Sequence, residues 1–189
     1  MKKTFLVALA TLSLAFWGCT QKTNASSYTT VAGGYQWSTD NAQKHQLADS
    51  DTYQQDRGLV NAAVGTKVNN VNVQVEYSQV KPKVQNADVS GKQETVALVA
   101  QVPAYTINSK VNTYGVVGVG YTDMSVDSWN TESAVGIVGA GVEWKANKTV
   151  SVLAEGRAQY VETNNLWQPQ ALLGVRINLN QLTSNVLGR

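Results

Sequence analysis

Residues able to do chemistry fall into two groups in this chain, and the first is sparse. His45 is the only histidine. Ser38, Asp49, Ser50 and Asp51 stand near it, which supplies the hydroxyl, imidazole and carboxylate that nucleophilic catalysis combines. The surrounding stretch is polar and unpatterned, so His45 reads as a solvated loop residue and no catalytic residue is expected. Asp40, Asp49, Asp51 and Asp56 share that stretch without the spacing of a Ca²⁺ loop, so neither a metal nor a cofactor is expected. Cys19 is the only cysteine, which excludes a disulfide within this sequence.

The second group is larger: Arg57, Lys67, Glu76, Glu143, Glu155, Arg157 and Arg176. Each lies in a stretch where apolar and polar residues alternate, on the polar side of the alternation. Extended backbone sends successive side chains to opposite faces. Val71, Val73, Val75 and Tyr77 therefore share one face of a strand, and Asn72, Gln74, Glu76 and Ser78 share the other. The same reading gives strands over Thr29–Trp37, Arg57–Val68, Val71–Gln79, Gln93–Ala104, Val111–Tyr121 and Val150–Tyr160. A sixth strand presents Gly136, Val138, Ala140, Val142 and Trp144. An eighth alternates Ala171, Leu173, Val175, Ile177 and Leu179 with Gln170, Leu172, Gly174, Arg176 and Asn178.

The connections predict how these strands are used. Ser38–Asp56, Lys81–Gly91, Thr122–Glu132 and Glu162–Gln168 read as long polar loops. Asn69-Asn70, Tyr105–Lys110 and Ala146-Asn147-Lys148 read as short turns, and Asn tolerates the left-handed backbone of a tight hairpin. The loops alternate strictly long and short, and aromatics end the apolar faces at Tyr35, Trp37, Tyr77, Tyr121, Trp144 and Tyr160. Tyr and Trp favour the boundary between hydrocarbon and head groups. The expectation is an all-β fold, an eight-stranded antiparallel transmembrane up-and-down β-barrel, with the apolar face toward lipid and the seven charges in the lumen. So narrow a lumen is filled by side chains, so those charges must pair, as a structural network or as a gated path for ions. Gly115, Gly118, Gly120, Gly136, Gly139, Gly141 and Gly174 are expected where strands bend or the lumen is crowded. A soluble secreted β protein is the alternative, and Gly33-Gly34-Tyr35-Gln36-Trp37 is similar to a lipocalin opening.

The first residues point to export. Lys2 and Lys3 precede the apolar run Phe5–Trp17, the pattern of a secretory signal peptide spanning residues 1–25. Processing after Ala25 is the preferred reading, and lipidation of Cys19 is the alternative. That run is shorter than the roughly 20 residues a membrane helix needs. Three of the 15 basic residues, Lys2, Lys3 and Lys22, and none of the 13 acidic ones, fall in this leader, so the remainder carries −1 rather than +2. Nothing in that balance calls for nucleic acid. Residues 26–179 form the barrel in this reading, and 180–189 a short tail.

Gly139-Ala140-Gly141-Val142-Glu143-Trp144-Lys145, followed by a turn and Ser151-Val152-Leu153-Ala154-Glu155-Gly156-Arg157, resembles the penultimate hairpin of small eight-stranded outer-membrane proteins. These include the outer membrane protein A barrel domain and the opacity-type surface proteins. Leu172-Leu173-Gly174-Val175-Arg176-Ile177-Asn178-Leu179 is similar to their last strand. The resemblance implies a monomeric, non-enzymatic barrel in the outer membrane of a Gram-negative bacterium. It would sit in outer-membrane lipid and lipopolysaccharide and serve envelope structure or adhesion, with host or surface ligands met by its outer loops. A small pore or a lipid-modifying enzyme are the alternatives within such barrels, the latter needing His45. The chain departs from the family at its end, where Leu179 replaces the usual terminal aromatic and ten residues leave no room for a peptidoglycan-binding domain.

Overall fold

The computed structural model describes residues 26–37, 57–81, 91–126, 129–163 and 165–181. Eight strands follow one another: β1 (Ser26–Gln36), β2 (Arg57–Val68), β3 (Val71–Val80), β4 (Gly91–Thr106), β5 (Val111–Val126), β6 (Trp129–Lys145), β7 (Val150–Val161) and β8 (Leu166–Asn178). Each pairs antiparallel with its sequence neighbours, and β1 closes the ring on β8 from Tyr28↔Asn178 to Gln36↔Gln170. Closure leaves no sheet edge around the ring, which a membrane core demands. The end at which β1, β3, β5 and β7 finish is the upper end.

The side-chain alternation sets an inside and an outside. Glu76, Arg157, Gln159, Gln168, Gln170 and Arg176 are buried in the lumen. Val60, Val119 and Leu173 lie outside, 62%, 66% and 64% exposed, among many other exposed valines. A soluble monomer rarely exposes so broad an apolar surface, whereas a barrel in lipid must. The lumen also holds apolar clusters, notably Ala97, Val99, Tyr114, Val116, Ile137 and Leu153. No helix among the described residues is long and apolar enough to cross a membrane.

Asn69 and Asn70 adopt φ of 48° and 74°, the left-handed pair that the Asn-Asn hairpin predicts. The expected alternation of loop lengths holds only for the first half. Residues 37–56 and 81–90 separate β1 from β2 and β3 from β4, but only 127–128 separate β5 from β6 and only 162–165 separate β7 from β8. Most of Thr122–Glu132, expected as a loop, is instead a continuous hairpin with Asp123↔Glu132 and Ser125↔Asn130 in register. Its outward residues Asp123, Ser125, Asn130 and Glu132 are polar because they rise above the apolar band, and ladder pairing does not require apolar side chains. β8 starts early because Leu166 is buried with Val135 and Val161.

Smaller departures have local causes. β4 runs to Thr106, past an irregularity between Pro103 and Tyr105, where proline cannot donate to the ladder. β1 starts at Ser26, because Ser26 and Ser27 pair with Lys67 and Thr66. β8 ends at Asn178, whose Oδ1 accepts from the backbone N–H groups of Asn180 and Gln181 in a helical turn. The leader with Cys19, the segment with His45 and the four aspartates, and residues 182–189 lie outside the described residues.

Candidate functional site: the lumen column

The ring geometry places β3 opposite β7 and β4 opposite β8. Polar side chains from these pairs meet across the axis. From β7, Arg157 Nη1 donates to Glu76 Oε2 on β3 at 2.6 Å and to Glu155 Oε1 at 3.3 Å, and its Nε donates to Gln170 Oε1 at 2.8 Å. The side chains of Arg157, Glu76 and Glu155 are 2%, 5% and 7% exposed, so this triad is shielded from water. Glu76 further accepts from Asn61 Nδ2 at 3.0 Å and from Gln74 Nε2 at 2.5 Å. A carboxylate needs several donors to remain charged in such a place.

Below the triad, Arg176 on β8 donates to Gln101 Oε1 on β4 and to Thr30 Oγ1 at 3.4 Å, and pairs with Glu143 at 3.5 Å. Its guanidinium lies 4.4 Å from the centre of the Tyr28 ring. Gln101 Nε2 and Tyr114 Oη both donate to Glu155 Oε2 at 3.3 Å, joining the two arginine clusters. Above the triad, Gln170 donates to Gln36 at 2.7 Å, Gln36 to Gln93 at 3.3 Å and Gln93 to Gln168 at 3.0 Å. Thr95 and Thr122 hydroxyls meet at 2.9 Å beside them. One polar column thus runs from Thr122 near the upper end to Glu143 near the lower.

Five of the seven charges expected in the lumen are brought together in this column: Glu76, Glu143, Glu155, Arg157 and Arg176. Lys67 is exposed at the lower end, and none of the ion pairs among the described residues includes it. Arg57 stands opposite Gln36 in the β1–β2 register at the upper end. Sequence reasoning passed over the glutamines and the lumenal tyrosines, Tyr28 and Tyr114. Their signal was their strand parity, since Gln36, Gln93, Gln159, Gln168 and Gln170 all fall on the inward face.

Inward glycines make room for the large members of the column. A Cβ on Gly139 would stand 2.5 Å from Arg157 Cβ, and one on Gly141 would stand 2.5 Å from the Tyr114 ring. Gly115 and Gly136 correct the expectation for the glycines, because they face outward and a Cβ on either would meet nothing within 4 Å. The space left between the clusters is about 20 Å³, lined by Gln74, Glu76, Gln101, Glu155 and Arg157 among others. That volume fits about one water molecule.

At the upper end, outward tyrosines are anchored by acceptors. Tyr77 donates to Glu94, Tyr121 to Glu132 at 2.7 Å and Tyr160 to Asn165 at 2.5 Å. Tyr35 packs edge-on against Trp37, and Tyr160 packs against Trp167, each with centroids 5.2 Å apart. Trp144, 49% exposed, stands at the opposite end. Glu94, Asp123 and Glu132 lie side by side in register across β4, β5 and β6. Among the described residues no cluster of three or more His, Cys, Asp or Glu side chains is arranged to hold a metal ion.

An apolar exterior, a closed eight-stranded ring and a filled polar lumen define an integral β-barrel of the bacterial outer membrane. The chain is similar to outer membrane protein Omp38 of Acinetobacter baumannii, 27% identical over an alignment of 139 residues, which covers 66% of this chain and 39% of that protein. It therefore spans well under half the length of that relative. No family model matches the chain. Its fold is that of Neisserial surface protein A, with a TM-score of 0.67 at 19% identity over 83% of this chain and all of that one. Ail, the attachment invasion locus protein of Yersinia pestis, aligns with a TM-score of 0.56 at 15% identity, over 82% of this chain and all of Ail. Ail has also been crystallised with the heparin analogue sucrose octasulfate.

Proposed function

We propose that this barrel is a closed, non-enzymatic anchor in the outer membrane, with the upper end outside the cell and a role in surface adhesion or envelope structure. The carrying observation is the Arg157–Glu76 bridge of 2.6 Å between opposite strands, nearly inaccessible to water. Together with the Arg176–Gln101 and Gln93–Gln168 bridges it ties the barrel wall together across its own bore. Such a bore holds strands in register but offers ions no hydrated path. Recognition then falls to the upper end, which carries the long segments 37–56 and 81–90 and the raised β5–β6 hairpin. An attachment protein of the same fold agrees with that assignment.

The test combines two measurements on the purified full chain. In planar bilayers the expected conductance is that of bare lipid. Deleting residues 38–56 should abolish cell-surface binding while the barrel still shows heat-modifiable migration in gels. Steady single-channel steps from the unaltered protein would overturn the closed anchor in favour of a small pore. Unchanged binding by the deleted form would move recognition to 81–90 and the β5–β6 hairpin, and no surface binding by the unaltered protein would leave envelope structure as the role.

A further inference from the structure

The lipid-facing surface carries a groove. Leu98, Val119, Gly136, Tyr160 and Trp167 stand side by side in register across β4 to β8, all outward. Gly136 leaves a gap in the middle of this row. A groove of about 580 Å³ opens there, running down to Val117 and Val138, with Tyr160 and Trp167 as one wall. Tyr121 and Ala134 pair one outward position above Val119 and Gly136, so the groove starts directly beneath the upper aromatics. Trp144 lies four outward positions below Gly136 on the same strand, which places the groove in the upper half of the apolar band.

We propose that this groove is a discrete binding site for one acyl chain of an outer-leaflet lipid, an assignment that rests on the outer-membrane reading above. Depth chooses the occupant, since only acyl chains of the upper leaflet reach this level. Chemistry agrees, because side chains from Val, Leu, Tyr and Trp form its walls and a peptide backbone laid there would lose its hydrogen bonds. A second copy of the chain fits poorly: a two-fold contact would set groove against groove and leave a void. A flexible chain of methylenes fills such a trough from end to end.

Purified full-length protein, incubated with lipid A in mild detergent, would be examined by native mass spectrometry. The unaltered protein should retain about one lipid A per barrel. A Cβ on Gly136 would meet nothing within 4 Å, so Gly136→Leu adds its side chain to the floor of the groove with no clash at the Cβ. Retention should fall about tenfold or more, because the leucine displaces several methylenes from contact. Gly33→Leu is the control, also outward, also in open space, and on β1 away from the groove. It should retain lipid A like the unaltered protein, and heat-modifiable migration reports that both variants fold. Equal retention by Gly136→Leu, equal loss in Gly33→Leu, or no retention by the folded unaltered protein would each overturn the proposal. A dimer mass that Gly136→Leu abolishes would assign the groove to a second copy. Absence of the protein from the outer-membrane fraction would refute the functional reading itself.

Discussion

Arg157 touches two carboxylates through one nitrogen, and that sharing makes it the hinge of the lumen's energetics. Arg157→Gln leaves Glu76 and Glu155 facing each other without a counter-charge, and should cost about 3–5 kcal/mol. Glu76→Gln should cost less, since Arg157 keeps Glu155. The double variant should lose less than the two single losses added, because the residues are coupled. Urea unfolding in detergent micelles, followed by tryptophan fluorescence, measures all three, and additive losses would show that the bridge contributes little. Arg176→Lys keeps the charge but loses the planar fork that serves Thr30, Gln101 and Glu143 and the face that lies over Tyr28. A loss of about 1–2 kcal/mol is expected in the same assay. Gly141→Ala would press a methyl into the Tyr114 ring and should destabilise the barrel clearly, whereas Gly136→Ala should be tolerated.

At the scale of strands, depth decides what a charge costs. Val138 sits on the exterior of β6 near the middle of the apolar band, and Val138→Arg should cost about 2–4 kcal/mol in a lipid bilayer. Asp123→Arg lies on the same exterior above the upper aromatics, and should be neutral or stabilising because it relieves the like-charge neighbours Glu94 and Glu132. Folding into vesicles under a denaturant gradient compares them, and equal penalties would contradict the placement of the membrane. Depth also explains what the sequence made legible. Within the band, alternation marks each strand and both its faces, as in Val71–Tyr77. Above it, the outward face turns polar as well, as at Asp123 and Ser125, so Thr122–Val126 looks like loop although its backbone pairs fully. Parity likewise located Glu76, Glu155 and Arg157 on the inner face. It could not say which would meet, because partners across the bore are set by ring closure: Glu76 and Arg157 stand 81 residues apart.

For the molecule as a whole, the barrel has one sidedness. A short epitope inserted between residues 127 and 128 should react with antibody on intact cells, and the same epitope in the turn at Asn147 should react only after the membrane is opened. The reverse pattern would invert the barrel. Ring closure carries a further implication, this time for biogenesis. The seam joins Tyr28 to Asn178, nearly the two ends of the described chain. Until the last strand has been synthesised, β1 has no partner on that side and no lumen exists to satisfy Arg176. Each hairpin before then would expose an unpaired edge, and β1 would wait for a partner some 150 residues distant. Insertion therefore has to follow completion of the chain, which must be delivered to its membrane unfolded and held back from aggregation on the way.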